Sequence, residues 1–303
     1  MSGPVQNPTC SRGRGILTLV RQADVPQEEQ AWRLMEQGRY GEAALLYEEI
    51  LRSRRHHPSL WNNLGYCHLR LGEVQKALAC YQKALKLDPR NKDILINNGY
   101  CHQRLGQWPE AYRCFRRALA RAPGDVDLLN NLGACLVQME RPGEALPFYY
   151  QAAALAPKDG EITGNLAAAL ASCHRWPEAI DYFEKALRLL PGDISILNNA
   201  AACLEALGKA YLAVSLYTRA LALKPGEVQI KYNYAACLIK IGDLARARSV
   251  LEEMLHLYPE YRPAWQLLGT LHETLGDTAT AASCYNRAWG LADSGQDKNS
   301  RKQ

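Results

Sequence analysis

The chain has no apolar run long enough to cross a membrane or to form the core of a secretory leader. The longest such run near its start, Ile16-Leu17-Thr18-Leu19-Val20, is short and follows Arg12 and Arg14. Cys10 comes after Asn-Pro-Thr, unlike a lipoprotein cleavage site, and a cytoplasmic location is the expectation. Also missing are a glycine-rich phosphate loop, paired carboxylates placed for acid–base work and a nucleophile–histidine arrangement, so neither an enzyme nor a cofactor is expected. The net charge of +5 in 303 residues is modest.

What the chain does have is a register. Ala43, Ala77, Ala111, Ala145, Ala179, Ala213, Ala247 and Ala281 follow one another at 34-residue steps without an insertion. A fixed period in this range marks a stacked array in which each unit touches its neighbours, so function is sought along a surface. Four residues after each alanine stands a bulky group, Tyr47, Tyr81, Phe115, Tyr149, Phe183, Tyr217, Leu251 or Tyr285. Three further on a small residue usually returns, as at Ala84, Ala118, Ala152, Ala186, Ala220 and Ala288. Offsets of 0, 4 and 7 describe one helical face on which a neighbouring helix can approach closely. Proline then ends each helix at Pro89, Pro123, Pro157, Pro191, Pro225 and Pro259. Asp125, Asp159 and Asp193 stand where the next helix needs an N-cap. A preceding helix in each unit carries Leu64, Leu132, Leu166 or Leu268 and often closes on glycine, at Gly38, Gly72, Gly106, Gly208, Gly242 and Gly276.

Ten cysteines invite a test for metal or disulfides. Cys67, Cys101, Cys135, Cys203 and Cys237 share one slot of the repeat. Equivalent residues of stacked helices lie about 8–10 Å apart, too far for a shared bridge or zinc. They read as small buried thiols, and no metal is expected. Gly-Tyr-Cys-His recurs at 65–68 and 99–102, but neighbours on a helix diverge by about 100°. His68, His102 and His272 therefore read as packed histidines with one hydrogen bond each.

The run Trp61-Asn62-Asn63-Leu64-Gly65-Tyr66, with Gly72, Ala77, Tyr81, Ala84 and Pro89, resembles the tetratricopeptide repeat, a 34-residue helix–turn–helix. The resemblance implies an all-α, right-handed superhelical solenoid of about eight such units. They would span 24–57, 58–91, 92–125, 126–159, 160–193, 194–227, 228–261 and 262–293, between a basic, flexible N-terminal tail (1–23) and a polar C-terminal tail (294–303). Arg55 and Asp293 replace the closing proline at the two ends. The first helix of the first unit, with Gln27, Gln30 and Ala31, is poorly apolar and open to fraying.

In proteins of this kind the first helix of each unit lines the concave groove. Asn63, Asn97, Asn131, Asn165, Asn199 and Asn233 hold one position there through six consecutive units, with Glu29 and Leu267 in the first and last. An amide offers donors and an acceptor together, so a row of them can pair with the backbone of an extended peptide whatever its side chains. The row is similar to the asparagine ladder in the superhelix of O-linked N-acetylglucosamine transferase, and the same amides can also join the helices that carry them. Tyr66 and Tyr100, with Arg70 and Arg104 four residues on, give an aromatic–basic anchor, or else pack between adjacent first helices. Ala134, Ala168 and Ala202 make a permissive track, and Tyr232 and Lys240 restore bulk and charge. The lysine–asparagine–arginine clamp for chaperone tails is absent, because Asn62 and Tyr66, Ile96 and Tyr100, then Asn130 and Ala134 fill its positions.

Residues 1–125 hold 19 basic and 12 acidic groups, against 17 and 19 in the remainder. Lys76, Lys83, Lys86, Arg113, Arg116 and Arg117 lie on second helices, the convex side in the family, as a solvated face or a docking patch for an acidic protein. Trp289 faces the place of a ninth unit, where a second copy could pair. The leading expectation is a non-enzymatic scaffold that holds an extended segment of a partner protein in its groove. The alternative is a substrate-targeting or regulatory subunit of an enzyme supplied in trans, such as a glycosyltransferase. RNA binding is weaker, since uniform asparagine is no base code. No small-molecule substrate and no membrane insertion are expected.

Overall fold

In the computed structural model, residues 26–291 are described, and they are helical apart from short turns. The tails expected at 1–23 and 294–303 lie outside the described residues. The helices come in pairs: α1 (Pro26–Glu36) and α2 (Tyr40–Ser53), α3 (Pro58–Arg70) and α4 (Val74–Leu87), α5 (Lys92–Arg104) and α6 (Trp108–Leu119), α7 (Val126–Gln138) and α8 (Pro142–Leu155), α9 (Gly160–Ser172) and α10 (Trp176–Leu189), α11 (Ile194–Ala206) and α12 (Ala210–Leu223), α13 (Val228–Lys240) and α14 (Leu244–Leu257), α15 (Arg262–Thr274) and α16 (Thr278–Trp289). The chain divides into two compact units, with α1–α9 in the first and α10–α16 in the second.

Local rules set the helix ends. Asn91 Oδ1 accepts from Asp93 N and Ile94 N at 3.1 and 3.2 Å. Asp125, Asp159 and Asp193 likewise accept from the first-turn amides of α7, α9 and α11 at 2.8–3.1 Å. Between the helices of a pair, Gly38, Gly72, Gly106, Gly208, Gly242 and Gly276 adopt left-handed backbone with φ between 69° and 81°. In the fourth and fifth pairs that slot falls to Glu140 (φ 60°) and His174 (φ 58°), which adopt the same conformation with a Cβ.

Packing follows the small–large–small face. Tyr47, Tyr81, Phe115, Tyr149, Phe183 and Tyr217 are buried completely or nearly so, flanked by buried alanines. The ring of Tyr149 lies against Gly133, where an added Cβ would stand 2.7 Å from ring carbons, and Tyr81, Phe115 and Tyr285 lie the same way on Gly65, Gly99 and Gly269. Each such burial removes an aromatic side chain from water and contributes about 1.5–3 kcal/mol. The first helix forms despite its composition: Ala31 and Met35 join Tyr47 and Leu51 in one cluster, and the buried carboxylate of Glu28 pairs with Arg54.

In the first unit each helix packs on the next, and in addition α3 meets α5 and α7 meets α9. In the second, α11 meets α13 and α13 meets α15. The first helices of the pairs thus approach one another directly, which places them on the inner side of each unit.

Candidate functional site: the inner asparagine row

The six row asparagines sit on these inner helices. Asn63, Asn97, Asn131, Asn165 and Asn199 are buried and Asn233 is partly so. Three of them donate backward across one repeat. Asn97 Nδ2 gives to Asn62 Oδ1 at 2.9 Å, Asn165 Nδ2 to Asn130 Oδ1 at 3.0 Å, and Asn233 Nδ2 to Asn198 Oδ1 at 3.0 Å. Every acceptor is the residue just before a row asparagine, so the Asn-Asn pairs at 62–63, 130–131 and 198–199 recur at 68 residues, twice the repeat. Three of the row's six Nδ2 groups therefore join one inner helix to the next.

The other polar atoms of the row differ from place to place. Asn233 Oδ1 accepts from Gln229 Nε2 at 3.0 Å, so this amide is engaged at both ends. Asn63 Nδ2 gives to Tyr47 Oη at 3.4 Å. The amide oxygens of Asn97 and Asn199 are buried and accept no hydrogen bond among the described residues. A buried acceptor without a donor costs about 1–3 kcal/mol, and each such group calls for a reason.

Beside the row in the first unit lies a compact aromatic–basic cluster. The Tyr66 ring meets the Tyr40 ring edge-on at 6.0 Å, and the exposed Arg70 guanidinium lies 4.9 Å from the Tyr40 ring centre and 6.0 Å from that of Tyr66. Burial raises the Tyr66 phenol above its ordinary pKa, against the opposing pull of Arg70. Tyr100 packs instead on the cluster of Leu69, Ala77 and Tyr81, and Arg104 points to solvent. The structure thus brings Tyr66 and Arg70 together and adds Tyr40, which no repeat position had indicated. In the second unit Lys240 Nζ lies 2.5 Å from Glu205, which also accepts from Tyr217 Oη at 2.7 Å, so the lysine's charge is met within the fold. Tyr232 meets Tyr261 edge-on at 6.1 Å.

Other sequence-level sites resolve simply. Burial pushes the thiols of Cys67, Cys101, Cys203 and Cys237 up to about 12, where they stay protonated. His68 Nδ1 pairs with Glu73 at 2.6 Å and His102 Nδ1 with Gln107 at 2.6 Å. No group of three His, Cys, Asp or Glu is arranged to hold a metal among the described residues, and no described helix is long and apolar enough to cross a membrane. On the second helices, Arg113 pairs with Glu110 at 2.6 Å, Lys76 with Glu73 at 2.9 Å, and Arg117 donates to the Pro89 carbonyl at 2.6 Å. Lys83, Lys86 and Arg116 are exposed and form no ion pair among the described residues. Trp289 is 61% exposed and stacks on Tyr285 at 5.9 Å.

Among solved structures, a tetratricopeptide repeat protein from Parabacteroides merdae superposes with a TM-score of 0.61 at 17% identity, covering 82% of this chain and 94% of that one. PilF from Pseudomonas aeruginosa gives 0.58 at 19%, covering 69% and 96%. YrrB, described as a TPR protein with an unusual peptide-binding site, gives 0.53 at 24%, covering 61% and 95%. At these identities the likeness shows the fold alone. No curated protein shows significant similarity in sequence. A tetratricopeptide-repeat model matches residues 238–295, and the model described as the cilia and flagella-associated protein 70 C-terminal domain matches residues 18–261. With four-fifths of its length so matched and its helices paired at a 34-residue period, the chain belongs to that tetratricopeptide-repeat family.

Proposed function

We propose that this protein is a non-enzymatic scaffold that holds an extended segment of a partner protein along its inner helices. The observation that carries this reading is a buried amide oxygen left without a donor on the inner helices of each unit, that of Asn97 in the first and that of Asn199 in the second. On this view each side chain turns its oxygen toward the inner face, where a backbone N–H of a bound strand supplies the missing donor and offsets the cost of the unmet acceptor. In this reading the row has two duties. Its Nδ2 groups link the inner helices, and its remaining oxygens, a ladder of the kind the family resemblance implied, set the direction of the guest chain. The Tyr40–Tyr66–Arg70 cluster anchors a side chain near one end of the first unit. YrrB, with its peptide-binding site, offers a precedent within the same fold.

The test is a pull-down from a cell extract with wild-type protein and with the Asn97→Ala/Asn199→Ala variant, compared by mass spectrometry. Neither residue's oxygen bonds to the scaffold, and Asn62 loses only a donor, so helicity by circular dichroism should stay near wild type. Loss of specific partners from the variant supports the reading. An unchanged partner set with intact helicity ends it.

A further inference from the structure

On the outer side of the first unit a crevice of about 420 Å³ opens between α2, α3 and α4. Leu51, Leu64 and Trp61 give it an apolar floor beside the buried His68, and its rim carries Glu48, Arg52, Lys76 and Lys83. A crevice of about 440 Å³ lies between α10, α11 and α12 of the second unit. The two are counterparts: Glu48, Leu51, Arg52 and Lys83 correspond to Glu184, Leu187, Arg188 and Arg219, each 136 residues on, four repeats away. The array therefore repeats one socket and lines it differently. Lys76 and Cys80 of the first become Leu212 and Leu216 in the second, and Trp61 becomes Leu197.

One substitution explains why the first socket holds a cation in reserve. In the slot of Lys83, Arg117 and Arg219 reach back 28 residues and donate to the carbonyls of Pro89 and Pro191, at 2.6 and 3.2 Å. The corresponding carbonyl for Lys83 is that of Arg55. Trp61 Nε1 already donates to it at 2.8 Å. Lys83 instead lies over the Trp61 ring, its Nζ 4.2 Å from the ring centre. A cation held on an aromatic face keeps its outer hydrogens for another acceptor. Arg52 faces the same opening, and neither it nor Lys83 forms an ion pair among the described residues.

We infer that this outer crevice receives an acidic side chain from a partner protein's segment, with the carboxylate between Lys83 and Arg52 and a neighbouring apolar residue on Trp61 and Leu51. The site is separate from the inner row and does not depend on it. Its occupant is set by charge: Lys83 and Arg52 form no ion pair among the described residues, Lys76 is held by Glu73 at 2.9 Å, and the one carboxylate of the lining, Glu48, lies 3.9 Å from His68 Nε2.

The probe is a short fluorescein-labelled peptide repeating Glu-Leu-Glu-Ala, beside its Gln-for-Glu counterpart, read by fluorescence anisotropy on the full chain. The acidic peptide should bind and the neutral one should not. Lys83→Glu and Arg52→Glu should each weaken binding about tenfold or more, as charge reversal at a paired contact does. Arg116→Glu, an equal change of net charge on α6, should leave it nearly unaltered. The variants alter exposed side chains, and circular dichroism confirms the fold. Absence of binding by wild type, equal binding of the neutral peptide, or an equal loss with Arg116→Glu would each overturn the assignment.

Discussion

Asn165 Nδ2 donates to Asn130 Oδ1 at 3.0 Å, a bond between residues 35 apart that fastens α9 to α7. Its counterparts at Asn97–Asn62 and Asn233–Asn198 make it a device of the array rather than an accident of one repeat. Removing the acceptor by Asn130→Ala leaves a buried donor and should cost about 1–3 kcal/mol in chemical denaturation. Asn130→Ala combined with Asn165→Ala should cost less than the two single changes summed, with a coupling of about 0.5–1.5 kcal/mol. Strict additivity would mean that the bond does not form in solution.

Glu140 occupies the left-handed slot that glycine fills in six other repeats. A side chain costs about 1–2 kcal/mol there, and the extra freedom of glycine in the unfolded chain offsets part of it. Glu140→Gly should raise stability by about 0.5–1 kcal/mol, seen as a higher urea midpoint with an unchanged slope. The same change at His174 should act alike. A fall in the midpoint would show that these side chains make contacts outweighing the backbone strain.

The buried thiols give a pH dependence of definite sign. Cys67, Cys101, Cys203 and Cys237 stand near 12 in the fold, against about 8.5 in an unfolded chain. Between these values the unfolded state binds fewer protons than the native state, so stability is full below about pH 8.5 and falls as pH rises. Thermal melts from pH 7.5 to 10 should show this decline, and a variant with alanine at all four positions should show less of it. At neutral pH iodoacetamide should leave the four unmodified in peptide maps until denaturant is added, with half-buried Cys173 reacting sooner.

Trp289 and Leu291 are both exposed at the end of the last helix pair. Pairing of this end with a second copy would cover them, as a capping repeat does in other arrays. Sedimentation should then show a dimer for wild type and a monomer for Trp289→Lys. A monomeric wild type at high concentration would leave Trp289 as an exposed edge stacked on Tyr285.

The parts of this fold that were legible in the sequence obey one residue in one slot. Alanine against the aromatic ring, aspartate at the N-cap and glycine at φ > 0 each act within a few residues or one repeat, so a 34-residue register reveals them. The row's bonding was not legible in that register. Its acceptors, Asn62, Asn130 and Asn198, occur in alternate repeats, with Ile96, Gly164 and Tyr232 between them, so the governing period is 68. Tyr40 was missed because it meets Tyr66 from the start of a second helix, and Lys240 could not be seen as neutralised because Glu205 lies a full repeat away. Contacts between repeats need two slots at once, and one sequence shows only a single slot at a time.

The claim most open to direct trial is that the inner amide oxygens read the backbone of a guest strand. A peptide selected from a random display library on the intact protein can be rebuilt with one N-methyl group at each position in turn. Methylation at the amide that meets Asn97, or at the amide that meets Asn199 in a peptide held by the second unit, should weaken binding about tenfold, and the matching Asn97→Ala or Asn199→Ala variant should abolish that sensitivity. A peptide that tolerates N-methylation throughout, while binding the wild type and the variant equally, would contradict the account.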